Sequence, residues 1–317
     1  MLAKRFSQFV ISSRTNAIMM ALIFMALPLF GWLGVAVVAL VTLRKGIYEG
    51  FIVLLWSALP FVVLLVAMKD WWPFLIAIGF NAVVVWLLAI VYQRYHRWAL
   101  TIEISALLGV LIVCCIHLFV GDLQHWWLVQ FVQEMKMAHL HIDQALIAKT
   151  LGAELKFMTG IMVSLIVFAD VCELMLGQYF NSLLLEKKVN AVASLKQFTQ
   201  KTFAFLNRKA FKETADQWTE WRLSLTSIVV LLIGAVLAWF GPAIFKDIFP
   251  VLLMPFLWAG LSLMHGFLNH WKLSNVVIAL VYVVLVLLLM FVPVLLGVFI
   301  IVAILDSFFD FRKRLEM

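Results

Sequence analysis

The sequence predicts an all-α fold, a polytopic helical membrane bundle of about ten passes, some of them short or broken. Three observations carry that prediction. Of the 317 residues 65% are apolar and 13% charged, with a mean hydropathy of +1.08, whereas a soluble domain has about 45–50% apolar and about 25% charged residues. Charge-free runs long enough to span as helices recur along the chain, while membrane β-strands would alternate polar and apolar residues. The 24 Lys and Arg are spread unevenly over the segments that join those runs, the pattern of cytoplasmic and external loops. An ordinary soluble enzyme, a disordered chain and a fibrous repeat are excluded.

In order, the runs are 15–43, 50–68, 71–93, 104–121, 157–185 (interrupted by Asp170 and Glu173), 223–245, 248–271 and 273–305. One span takes about 20 apolar residues, so most runs are one helix. Run 15–43 contains Pro28, Gly31 and Gly34, and run 273–305 contains Pro293 and Gly297. As single helices they would be about 44 and 50 Å long, against a hydrocarbon core of about 30 Å. Each is read as two short helices meeting near its proline. The split places 19 of the 24 Lys and Arg on one side, which the positive-inside rule makes the cytoplasm, with both termini there. The first run far exceeds a signal-peptide core of about 7–15 residues and is read as a retained helix.

Residues 1–317 thus form a single membrane domain with two polar excursions. Residues 122–156 form an extracytoplasmic amphipathic helical excursion that opens on Trp126 and Trp127, rings suited to an interface. Leu128, Phe131, Val132, Met135, Ile142, Ala145 and Leu146 fall on one arc of that helix. Residues 186–222 form a cytoplasmic loop with eight basic and four acidic residues. A helix over 189–212 would put Val192, Leu195, Phe203 and Leu206 on one arc and Lys201, Arg208, Lys209 and Lys212 on another. Anionic membrane lipid is its predicted partner, and no specific nucleic acid is expected.

Asp170 and Glu173 are the sharpest chemical signal. Their i, i+3 spacing puts two carboxylates on one helix face in mid-run, where each ionised group costs about 2.5–3.5 kcal/mol on insertion scales. A ligand-binding or proton-relay pair explains them, and so does a structural pair bonding neighbouring helices. His265 and Asn269 share a face of an intramembrane helix and form a candidate polar contact. His139 and Asp143 are i, i+4 neighbours, with His125 and His141 nearby, but no second pair completes a metal site, and no metal is predicted. Cys114, Cys115 and Cys172 lie in apolar stretches and read as packing thiols. There is no G-x-S-x-G, H-E-x-x-H, G-K-[ST] loop or G-x-G-x-x-G, so neither an enzyme nor a cofactor is expected. Ala17-x-x-x-Ala21 and Gly46-x-x-x-Gly50 allow close helix approach. Asp306 and Asp310 near Arg312 and Arg314 suit ion pairing along a helix.

Several stretches carry a family resemblance: ALPLFGWLGVAVVALVTLRKGIYEGF at 26–51, LGQYFNSLLL at 176–185, FKETADQWTEWRLSL at 211–225, GLSLMHGFLNHW at 260–271 and ILDSFFDFRKR at 304–314. In this order they resemble the YybS-like family of bacterial integral membrane proteins, itself similar to the S components of energy-coupling-factor transporters. The resemblance implies an S-component-like bundle in a bacterial cytoplasmic (inner) membrane. It also implies small-solute binding or transport, with a coupling transmembrane subunit and two ATPases as partners. In S components an Ala-x-x-x-Ala motif of the first helix meets the coupler, which the resemblance transfers to Ala17 and Ala21. The alternative is a structural or regulatory membrane protein that recruits partners without moving a solute.

Overall fold

Lipid offers a backbone no hydrogen-bond partners, so runs this apolar must satisfy their own N–H and C=O groups, and helices do so within one segment. In the computed structural model every regular element among the described residues is helical. The described residues are all but 1, 28, 70, 138–149, 153, 195–220, 222, 272, 292–293 and 312–317. Five helical stretches are long and apolar enough to cross a membrane: Ile47–Ala67, Leu75–Tyr95, Trp98–Val120, Glu154–Leu184 and Ile244–His270. Shorter apolar helices cover Arg14–Ala26, Leu225–Phe240, Val276–Leu285 and Val294–Phe309. By internal contacts the chain divides into two units, Met1–Thr101 with Phe168–Glu220, and Ile102–Val167 with Trp221–Met317.

The first unit opens with α1 (Leu2–Ser12), α2 (Arg14–Ala26) and α3 (Gly31–Lys45). Ser13 caps α2, its hydroxyl accepting from the Asn16 N–H at 3.0 Å. Helix α3 is apolar on all sides and residues 35–41 are buried, as an all-round hydrophobic helix must be. The chain then turns at Gly46, whose φ of +100° suits only glycine, into α4 (Ile47–Ser57) and α5 (Leu59–Met68). Arg14 forks onto both carboxylate oxygens of Glu49, joining α2 to α4. A π-helical stretch, Leu75–Ala82, leads into α6 (Val83–Tyr95). The later part of a long helix completes the unit.

In the second unit are most of α7 (Trp98–Val120), α8 (Leu123–Met137), a 3-10 turn (Glu154–Phe157) and the start of that long helix, α9 (Met158–Ser194). After the described residues resume come α10 (Leu225–Phe240), α11 (Ile244–His270), α12 (Asn275–Phe291) and α13 (Val294–Phe309). Helix α11 is the most deeply buried of the five membrane-length stretches. It carries Pro250 and Pro255 in its interior, tolerated where packed neighbours re-satisfy the freed carbonyls. Leu223, Ile228, Leu231, Phe256, Ala259 and Ala303 form a core shared by α10, α11 and α13.

The run at 15–43 is two helices, with the break at 27–30 around Pro28. In the run at 273–305 one helix ends at Phe291 and the next begins at Val294. Two features differ from the sequence reading. The run at 50–68 remains within the single span Ile47–Ala67 but turns at Ala58, between α4 and α5, where Pro60 in the first turn of α5 has no N–H to bond back to α4. Helix α9 continues to Ser194, into the stretch read as the cytoplasmic loop. The rest of that loop, with Leu195, Phe203, Leu206 and its basic arc, lies outside the described residues, as do Ile142, Ala145, Leu146, His139, His141 and Asp143 of the other excursion.

Candidate functional site

The site belongs to the first unit and is built on α9. At 3.6 residues per turn Asp170, Glu173 and Gly177 lie on one face. A Cβ on Gly177 would sit 2.7 Å from Ala39 Cβ and 3.0 Å from the Ala36 carbonyl oxygen, so this face lies directly on the buried backbone of α3. The close approach leaves both carboxyl groups enclosed, Asp170 fully buried and Glu173 6% exposed.

The third member is Asn81, carried by the π-helical stretch Leu75–Ala82. Such i→i+5 segments are uncommon and recur at functional sites. Its Nδ2 donates to Asp170 Oδ1 at 2.8 Å and to Glu173 Oε2 at 2.9 Å. Carboxylates only accept, which fixes the NH₂ end of the amide toward them. Both amide hydrogens are thereby used. Asp170 Oδ2 is buried with no hydrogen-bond partner among the described residues, and neither carboxyl group has an ion-pair partner there. Two acidic groups on one amide, with an acceptor left over, have unused capacity to accept a proton or a small positively charged group.

The remaining candidates have other surroundings. His265 in α11 is buried, and its Nδ1 lies 3.1 Å from the Tyr282 hydroxyl of α12. Asn269, one turn further along, is half-buried. Both belong to the second unit. Ala17 and Ala21 are buried at the α2–α3 contact, where a Cβ on Gly34 would lie 2.9 Å from the Ala21 carbonyl oxygen. Gly50 packs on Thr42 of α3, its hypothetical Cβ 2.8 Å from Thr42 Cβ. Gly46 has open space around it and serves the turn. Among the described residues no group of three His, Cys, Asp or Glu side chains could hold a metal.

Sequence reasoning missed Asn81, although an amide in the middle of the charge-free run 71–93 was a usable signal. It also missed the burial of a further carboxylate, Asp247. Asp247 Oδ1 accepts from the Gly160 N–H at 2.7 Å and Oδ2 lies 2.8 Å from His117 Nε2. The ring nitrogen facing a carboxylate is the donor, which sets the tautomer. Comparison with family models, with curated proteins and with solved structures gives no match.

Proposed function

We propose that the chain is a small-solute binding or transport component of a bacterial cytoplasmic membrane, with its cargo site at Asp170, Glu173 and Asn81. About ten passes with both termini cytoplasmic fit its distribution of Lys and Arg. The observation that carries the reading is Asp170 Oδ2, a buried acceptor without a donor among the described residues, beside a second buried carboxyl group. A proton or a small cation supplies what this oxygen lacks, and transporters bind such cargo at membrane depth. The chain has no phosphate-binding loop, so an ion gradient or separate ATPases would drive movement. A coupling subunit would dock elsewhere than on Ala17 and Ala21, which are both buried.

One observation favours the alternative of a non-transporting structural or regulatory protein: Asn81 already holds one oxygen of each carboxyl group, as a helix-pinning residue would. Charge displacement in proteoliposomes after jumps of H⁺, Na⁺ or K⁺ separates the two. The transport reading expects a signal that the variant Asp170→Asn, Glu173→Gln abolishes while melting near the parent temperature. No signal from the parent protein overturns it. Native mass spectrometry of the protein in its own lipids tests for a retained coupler and ATPases.

A further inference from the structure

A second binding feature lies wholly within the second unit and concerns none of the residues above. Helices α7, α10 and α11 enclose a groove of about 440 Å³, within the range of about 300–1,000 Å³ of small-molecule sites. Its walls are apolar, formed by Leu107, Val230, Ile233, Leu237, Phe245 and Leu252. Leu107, Val230 and Ile233 are 66%, 46% and 54% exposed, so the groove is open along its side. Phe245 lines the far end, next to the α10–α11 turn at Gly241.

One end is polar. Glu103 Oε1 accepts the Ser227 hydroxyl at 2.6 Å and the Ser224 hydroxyl at 3.4 Å. Ser224 also caps α10, accepting the Ser227 N–H at 3.3 Å. Glu103 Oε2 has no partner among the described residues, and no cation pairs with this carboxylate there. The groove therefore has a single anionic end and an apolar body. From Ser224 to Leu237 is 13 residues along α10, about 20 Å at 1.5 Å per residue. One leaflet of a hydrocarbon core is about 15 Å deep, half of about 30 Å, so length and polarity together match one lipid chain with its head.

We propose that this groove binds a membrane aminophospholipid, its primary ammonium on Glu103 and one acyl chain along α10 as far as Phe245. The charge selects the class. An anionic head would meet an unpaired carboxylate, whereas an ammonium both neutralises Glu103 and donates to Oε2. The apolar wall holds the chain by burial without head-group preference.

The test is native mass spectrometry of the full-length protein titrated with phosphatidylethanolamine and phosphatidylglycerol of identical acyl chains. Phosphatidylethanolamine should be retained about tenfold better, the order set by one charge-assisted hydrogen bond. Glu103→Gln should remove that preference, and Ile233→Trp, which fills the groove, should lower retention of both lipids. Equal retention by the parent protein, preference for phosphatidylglycerol, or a preference that survives in folded Glu103→Gln overturns the proposal. Unchanged retention in Ile233→Trp overturns it as well, and the parent's own head-group preference decides the matter if Glu103→Gln does not fold.

Discussion

Asp247 in the second unit and the Asp170–Glu173 pair in the first are carboxyl groups buried among apolar helices, and their hydrogen bonding differs. In the second unit both oxygens of Asp247 have a donor, the Gly160 N–H and His117 Nε2. In the first unit Asp170 and Glu173 share the Asn81 amide, and one buried oxygen of Asp170 has no donor among the described residues. A fully bonded carboxylate fixes elements in place, because breaking any of its bonds exposes an unmet polar group. An incompletely bonded one keeps capacity for something that comes and goes. The comparison separates a structural pin from a candidate site using the same residue chemistry.

The largest effect should come from Gly160→Ala. Its Cβ would sit 2.6 Å from Asp247 Cα and 2.7 Å from its carbonyl carbon, a backbone clash that no rotamer relieves. Thermal unfolding of the full-length protein in nanodiscs should report a loss of about 3 kcal/mol or more, and an unchanged melt would remove Asp247 as a pin. Next comes Asp247→Ala, which leaves the Gly160 N–H and His117 without their acceptor, at about 2–3 kcal/mol. In a double-mutant cycle His117→Ala should cost little more once Asp247 is gone, since the two act as one contact.

In the first unit Asn81→Ala removes the donor that both acids share, the sole one among the described residues. It should cost about 1–3 kcal/mol, and adding Asp170→Asn should recover part of the loss. By contrast Asp170→Asn alone is nearly isosteric and leaves Asn81 an acceptor, so stability should hold within about 1 kcal/mol. Cation- or proton-driven charge displacement should nevertheless disappear; loss of stability without loss of that signal would make the trio a second pin. The smallest effect belongs to Arg14→Gln. The Arg14–Glu49 pair is solvent-facing, and its loss should shift the melt by no more than the scatter between preparations.

Much of this architecture is legible without coordinates. Charge-free runs mark the helices, and Pro28 marks the break between α2 and α3 because a proline and the residue before it resist continuing a helix. The turn at Ala58 was equally marked by Pro60 but hidden by run length, since 50–68 is short enough for one pass. The i, i+3 placement of Asp170 and Glu173 follows from helix periodicity alone. Their amide partner does not, because Asn81 lies 89 residues from Asp170 and no periodicity relates residues on different helices.

Composition, run length and charge distribution determine by themselves that this chain is helical, apolar enough for a membrane and acidic at two mid-helix positions. These are local or additive properties, summed residue by residue along the chain. Tertiary structure alone decided that Asn81 joins the two acids, that Asp247 is fully bonded, that Ala17 and Ala21 are buried, and that Glu103 meets two serines at the end of an apolar groove. Each depends on which helix faces lie against one another. That choice comes from the close packing of side chains distant in sequence, a pairwise property that no single segment contains.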